Sequence, residues 1–239
     1  MNSAVPTVFI VDDAREVRVA LSRLLSAANY QVRAFESAER FLEADVAEAP
    51  GCLLLNVFLP GLTGIELQRS LQSSPCERPI VFMTDRGDIQ TCVHAMKAGA
   101  VDYLTKPMNN ARLLAAVEQA LRRDEERRME RAIRSMIQQR LETLTPRERQ
   151  VMLRVISGRL NKQIAAEIGV GEKTVKVHRA RVMSKMGVRS VAELVRMGAR
   201  VGVAIESALD ASAVLKWTHG YNALIPNPIQ RFMILQKQP

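Results

Sequence analysis

The chain reads as an α/β domain with a doubly wound, five-stranded parallel sheet, followed by a small all-α domain built around a helix-turn-helix. Three observations carry this reading. Short apolar runs alternate with helix-period segments over residues 5–107, the pattern of a parallel sheet covered on both faces. Two short amphipathic segments, broken by Gly169-Val170-Gly171, occupy residues 161–186. Charge is also divided: residues 1–108 carry ten basic and thirteen acidic side chains, whereas residues 142–202 carry thirteen basic and five acidic. A basic module joined to a mildly acidic one points to a nucleic-acid reader attached to something else.

The strands follow in order. Val8-Phe9-Ile10-Val11 is the first, and Leu53-Leu54-Leu55, Ile80-Val81-Phe82-Met83 and Val101-Asp102-Tyr103-Leu104 are three more buried runs. Gln31 to Phe35 alternates and fits a half-exposed strand. Between them lie helical stretches such as Val17, Leu21, Leu24 and Leu25. Sheets of this kind place their site at the carboxyl ends of the strands. There the sequence sets Asp12 and Asp13 after the first strand, Asn56 at the end of the third, Thr84 at the end of the fourth and Lys106 after the fifth.

Residues 109–143 hold neither glycine nor proline and are expected to be largely helical. One stripe is Leu113, Leu114, Val117 and Leu121; Met129, Ile133, Ile137 and Leu141 resume it after the charged run Arg122 to Arg128. Two readings stand side by side: a last helix followed by a solvated linker, or a signalling helix that pairs with a second protomer.

The second domain is the more informative. Ile164, Ala165 and Ile168 share one helix face, and Val175, Val182 and Met186 share another. Two short helices joined by a glycine turn form a unit whose second helix can enter a DNA major groove. Its outward positions are Lys173, Lys176, Arg179 and Arg181, with His178 beside them. Cationic outside and apolar inside is what groove entry demands, since phosphates supply most of the affinity.

Other signals are weaker. Cys52, Cys76 and Cys92 form no CxxC pair and read as residues of a reduced, cytoplasmic protein. No apolar run reaches the roughly 18–20 residues of a membrane span, and no secretory signal is evident. His94 reads as a surface residue and His219 stands alone. In residues 203–239, Ala204 to Leu215 could extend a helix until Pro226 and Pro228 interrupt it, and Trp217, Tyr221, Phe232 and Met233 are apolar enough to dock. A metal-dependent phosphohydrolase, the enzyme reading of the acidic pair, lacks a DxD nucleophile motif and leaves the helix-turn-helix unexplained.

Leu144 to about Val201, with LTPRERQV, NKQIA, EKTVKVHRARVMSKM and VRSVAEL, resembles the DNA-binding domain of LuxR-type regulators. Gly171 departs from it, standing where the family usually caps the recognition helix with Ser or Thr. A glycine cap costs only a few tenths of a kcal/mol relative to Ser. Residues 5–121, with FIVDD, LPGLTGIEL, PIVFMTDRGD and AMKAGAVDYLTKP, resemble the flavodoxin-like receiver domain of two-component response regulators. Together they are similar to the NarL/FixJ class, particularly its FixJ-like branch. The implied division is a receiver over 5–121, a helical linker over 122–143, the LuxR-type domain over 144–202 and a tail over 203–239.

The resemblance implies roles residue by residue. A carboxylate at the third strand's end accepts a phosphoryl group. Mg²⁺, held by Asp12, Asp13 and the Phe58 carbonyl, offsets the developing charge. Lys106 contacts the phosphoryl group, Thr84 swings toward it, and Tyr103 follows. Lys106-Pro107 matches a peptide that is often cis. In the second domain, Lys176, Val177 and Ala180 face base edges, with Lys162, Lys173, Thr174, His178 and Arg179 at the DNA interface around them. The last helix, with Val191, Leu194, Val195 and Gly198 on one face, pairs two copies over an inverted-repeat operator. The implied partners are double-stranded DNA, a cognate histidine kinase and a second copy of the chain.

The acceptor itself is missing, because Asn56 stands where the family has aspartate. An amide carries no full negative charge and is a poor nucleophile for phosphorus. Two carboxylates also hold Mg²⁺ more weakly than three, and Lys106 is expected to turn to Asp12 or Asp13. A natural phosphorylation-independent receiver, an engineered substitution and a decayed structural domain all remain open for Asn56. The expectation is a non-enzymatic, DNA-binding transcription regulator. The alternative is a receiver that titrates a kinase as an interaction protein.

Overall fold

The structure, a computed structural model, describes residues 5–44, 46, 49–72 and 77–203. Cys76 and the tail residues from Ala204 onward, with His219 and the apolar positions noted above, lie outside the described residues. The chain divides between Arg128 and Met129 into two units.

The first unit is the expected parallel sheet. Its strands are β1 (Thr7–Val11), β2 (Gln31–Phe35), β3 (Gly51–Asn56), β4 (Ile80–Thr84) and β5 (Asp102–Thr105), all parallel and in the order β2-β1-β3-β4-β5. Helices α1 (Arg15–Ala27), α2 (Ala38–Glu43), α3 (Gly64–Gln72) and α4 (Ile89–Lys97) connect them. β1, β3 and β4 are buried along their whole length because each face meets its own core. Phe9, Leu53, Leu55 and Phe82 pack in one core, and Ile10, Cys52, Leu54 and Met83 in the other. Burial pushes the Cys52 thiol up to about 12, so it is an inert core group. β2 is one of the two edge strands, with Gln31, Arg33 and Ala34 exposed, which explains why it is not a continuous apolar run.

Helix α5 (Asn110–Glu142) is one uninterrupted element. Leu113, Ala116, Val117 and Ala120 are buried in the first unit, while Ile137 and Leu141 are buried in the core of the second. The expected apolar stripe therefore holds at Ile133, Ile137 and Leu141, which pack within their own chain. Met129 departs from it, being 68% exposed.

The second unit continues with α6 (Pro146–Ile156), α7 (Asn161–Ile168), α8 (Glu172–Met186) and α9 (Val191–Arg200). Thr145 opens α6 through a reciprocal capping box with Glu148. Gly169 ends α7 in the left-handed region at φ 69°, which a side chain would resist. Gly171 caps α8 in extended geometry with no side-chain bond, so the substituted cap leaves the helix intact. Two tethers fix the far end of α8: Arg140 Nη1 donates to the Met186 carbonyl at 2.7 Å, and Lys185 Nζ meets Glu148 Oε2 at 2.6 Å.

Glu148 is 2% exposed, and its pKa lies below the ordinary 4.5 chiefly because Lys185 donates to it. A depressed carboxylate contributes stability above its unfolded pKa and loses it as pH falls through the folded value. Glu148→Gln keeps a side chain able to close the capping box but removes the charge. It is expected to cost about 1 kcal/mol at neutral pH. Thermal melts of parent and variant, different at pH 7, should converge as pH is taken below 4.5. Equal stabilities at both pH values would refute this role.

Candidate functional site

The strand ends converge as the sequence anticipates. Asp12, Asn56 and Thr84 are buried at 0%, 3% and 0% exposure, whereas Asp13 is exposed. Asn56 Nδ2 donates to Asp13 Oδ1 at 3.0 Å and to the Phe58 carbonyl at 2.9 Å. This amide orientation is chemically forced, because the reverse would set the amide oxygen against two acceptors. Asn56 Oδ1 is left buried without a partner within the protein. An N–H donor thus stands between the two oxygens that the resemblance assigns to a cation.

Lys106 Nζ lies 2.7 Å from Asp12 Oδ2 and 3.3 Å from Asp85 Oδ2. Asp12 is one of its two expected partners, and Asp85 is a partner that sequence reasoning missed. The signal was the acidic residue immediately after Thr84, which the turn returns toward the pocket. Arg18 was also missed: its Nη1 donates to the Asp12 and Asp13 carbonyls at 2.7 and 2.8 Å, which holds the acidic loop against α1. The Lys106-Pro107 peptide is cis.

Thr84 Oγ1 faces away from the pocket chemistry, donating to the Arg86 carbonyl at 2.9 Å and accepting from its N–H at 3.1 Å. Tyr103 is 8% exposed, and its hydroxyl makes no hydrogen bond of good geometry. Burial raises the pKa of that hydroxyl, with nearby Thr84 pulling the other way. His94 is exposed on α4, 2.9 Å from Arg69 Nη2. Among the described residues, no cluster of three or more His, Cys, Asp or Glu side chains could hold a metal.

In the second unit, Val175, Val182 and Met186 turn α8 inward as expected. The face opposite them presents Lys173, Thr174, Lys176, Val177, Ala180 and Arg181, all exposed. Lys176 is paired loosely with Glu172 at 3.6 Å on the surface, and Lys162 is exposed at the start of α7. His178 and Arg179 sit differently. Both are half-buried at the flank, and Arg179 Nη1 donates to Asn161 Oδ1 at 3.1 Å. Ser184 is also exposed one turn beyond Ala180, a position that attention to charge alone passed over.

The face expected to pair two copies needs correction. Leu194 is 1% exposed, Gly198 is buried, and Val191 and Val195 pack against the same core. That face of α9 is consumed within the unit, because the core formed by α6 and α8 needs a lid. The outer face carries Ala192, Arg196, Ala199 and Arg200.

Comparison with known proteins agrees with both halves. Residues 8–118 match the response regulator receiver domain family, and residues 142–198 match the LuxR family of bacterial regulatory proteins. The chain is 43% identical to Nodulation protein W of Bradyrhizobium diazoefficiens over 82% of its own length and 86% of that protein's. It is 41% identical to Transcriptional regulatory protein FixJ of the same organism, covering 82% of this chain and 96% of FixJ. The solved structure of response regulator StyR is similar with a TM-score of 0.73 at 47% identity, over 82% of this chain and all of that one. A LuxR-type domain implies DNA as one partner, and a receiver implies a histidine kinase as the other. No described helix is long and apolar enough to cross a membrane. The chain belongs to the two-component response regulators of the FixJ/NarL class, transcription regulators that join a receiver domain to a LuxR-type DNA-binding domain.

Proposed function

We propose that this regulator binds DNA in the cytoplasm under a receiver that accepts no phosphoryl group as it stands. The observation that carries the reading is the Asn56 amide, whose nitrogen donates to both Asp13 and the Phe58 carbonyl. That position holds a neutral amide, whose nitrogen lone pair is delocalised and whose oxygen carries no full charge, so it is a poor nucleophile for phosphorus. A divalent cation would have to displace that nitrogen from two oxygens and compete with Lys106 for Asp12, so the residues as arranged do not suit Mg²⁺, and its binding is weak. The domain limits we propose are a receiver over 5–121, a helical linker over 122–143, a DNA-binding domain over 144–202 and a tail over 203–239.

The test is direct. The protein incubated with Mg²⁺ and a small phosphodonor stays unlabelled, while footprinting shows a discrete protected site. An acid-stable, alkali-labile phosphoryl adduct would overturn the first part. Kinase binding without DNA protection would favour a kinase-titrating role instead.

Base reading falls to Lys176, Val177 and Ala180, supported by their exposure opposite the apolar face of α8. Lys162, Lys173 and Thr174 contact phosphates, with His178 and Arg179 at the flank. Lys176→Ala is expected to erase about 1–3 kcal/mol of discrimination between operator and random DNA. Lys173→Ala should weaken both alike and reduce the salt slope by about 1. Equal losses on both DNAs for Lys176→Ala, measured by fluorescence anisotropy, would contradict the assignment. Pairing through the outer face of α9 gives a homodimer on an inverted repeat, with half-sites about one helical turn apart.

A further inference from the structure

At the end of the sheet away from the acidic pocket, α5 carries a buried carboxylate that neither DNA binding nor phosphoryl chemistry uses. Asp124 is 4% exposed. Its Oδ2 accepts the Gly51 N–H at 2.8 Å and the Arg128 Nε–H at 2.8 Å. Gly51 is built for this approach. Its φ is +147°, and an added Cβ would fall 1.8 Å from the Thr7 carbonyl oxygen, so only glycine fits the backbone conformation that presents this first N–H of β3. One turn along, Arg127 pairs with Glu77 at 3.3 Å.

The setting makes the contact unusual. Position 124 continues the inward stripe of Leu113, Val117 and Ala120, where an aliphatic residue would pack without directional demands. Apolar packing of α5 in the first unit stops at Leu121 and begins in the second core at Ile133. Residues 122–132 belong to neither core, and Met129 and Ala132 are exposed. Surface pairs such as Arg134–Glu130 add only a few tenths of a kcal/mol each to a helix. Over this stretch the helix is held by polar contacts, with the Asp124 carboxylate at their centre.

We propose that Asp124 is a releasable latch, which holds residues 122–128 of α5 against the receiver and frees that stretch when its bond to Gly51 breaks. Arg128 shares the helix with Asp124 and orients its carboxylate, so the single bond from the Gly51 N–H is what ties that carboxylate to the sheet. β3 carries the latch donor Gly51 at its first residue and Asn56 at its last. The proposal stands whether or not Asn56 accepts phosphate.

Trypsin and amide exchange on the full chain test it, because residues 122–134 are rich in arginine. Asp124→Ala is expected to speed cleavage between Arg122 and Arg128, and exchange over 122–128, by about tenfold. Exchange of β1, β3 and β4 should stay within about twofold of the parent. Asp124→Asn keeps an oxygen for Gly51 but loses the charge facing Arg128, and should lie between parent and Ala variant; it carries the test alone should the Ala variant fail to fold. Strands that accelerate as much as the helix would show an ordinary core residue and overturn the proposal. An unchanged helix in the folded variant would do the same.

Discussion

Asn56→Asp is expected to convert a protein that takes no label into one that accepts up to one phosphoryl group per chain. The two side chains are nearly isosteric, so the fold need not move. What changes is the sign of two contacts. The nitrogen now 3.0 Å from Asp13 Oδ1 and 2.9 Å from the Phe58 carbonyl becomes a carboxylate oxygen facing two acceptors. Without a cation the variant should therefore be less stable than the parent by about 1–3 kcal/mol. Mg²⁺ should recover that loss by binding between the three carboxylates, and Lys106 should leave Asp85 for the new charge. Phosphorylation is then expected to raise operator affinity by roughly 5–150-fold, the usual range of coupling between sites. Melting curves with and without Mg²⁺, phosphoryl labelling and anisotropy with operator DNA measure the three steps. A variant that labels fully and binds its operator no better would show that this receiver does not gate the reader.

Leu194→Arg is expected to unfold the second unit. Leu194 is 1% exposed among Val151, Ile156, Met186 and Val203 in the core that supports α8. Losing the leucine alone costs about 2–5 kcal/mol. The unpaired guanidinium adds a desolvation penalty, taking the total above about 4 kcal/mol. Small domains have only about 5–15 kcal/mol to lose. DNA binding and the helical signal of this unit should disappear while the receiver melts as before. Arg196→Glu, on the outer face of the same helix, should leave the unit folded and lower affinity for a full inverted repeat toward that for a half-site. A folded, DNA-binding Leu194→Arg protein would place the core contact of α9 elsewhere.

Those two positions show where reading the chain succeeds and where it stops. Periodicity located β1 and β4 within a residue, because strands buried on both faces are continuous apolar runs. It also located the glycine turn and the inward face of α8, since local spacing alone decides which side of a helix is apolar. The strand ends named Asp12, Asp13, Asn56, Thr84 and Lys106 together, because the topology of a doubly wound sheet leaves them one place to meet.

Periodicity marked Val191, Leu194, Val195 and Gly198 as one face of α9, yet gave no sign of what covers that face. An apolar stripe serves a core and an interface equally, and only the packing of α6 and α8 beneath it assigned the stripe to the core. Asp124 sat in a charged run that resembled a solvated linker. Its burial depends on Gly51, 73 residues away, and on a backbone conformation that no neighbouring residue betrays. Asp85, in the turn after β4, and Arg18, in the first turns of α1, became pocket residues because the local fold brings each charge back toward the strand ends. The sequence by itself determined the class of fold, the glycine-turned second domain and the set of residues at the strand ends, because these depend on residue type and short-range spacing. Tertiary structure alone decided which apolar face is covered and which charge is buried, because both depend on partners supplied by distant parts of the chain.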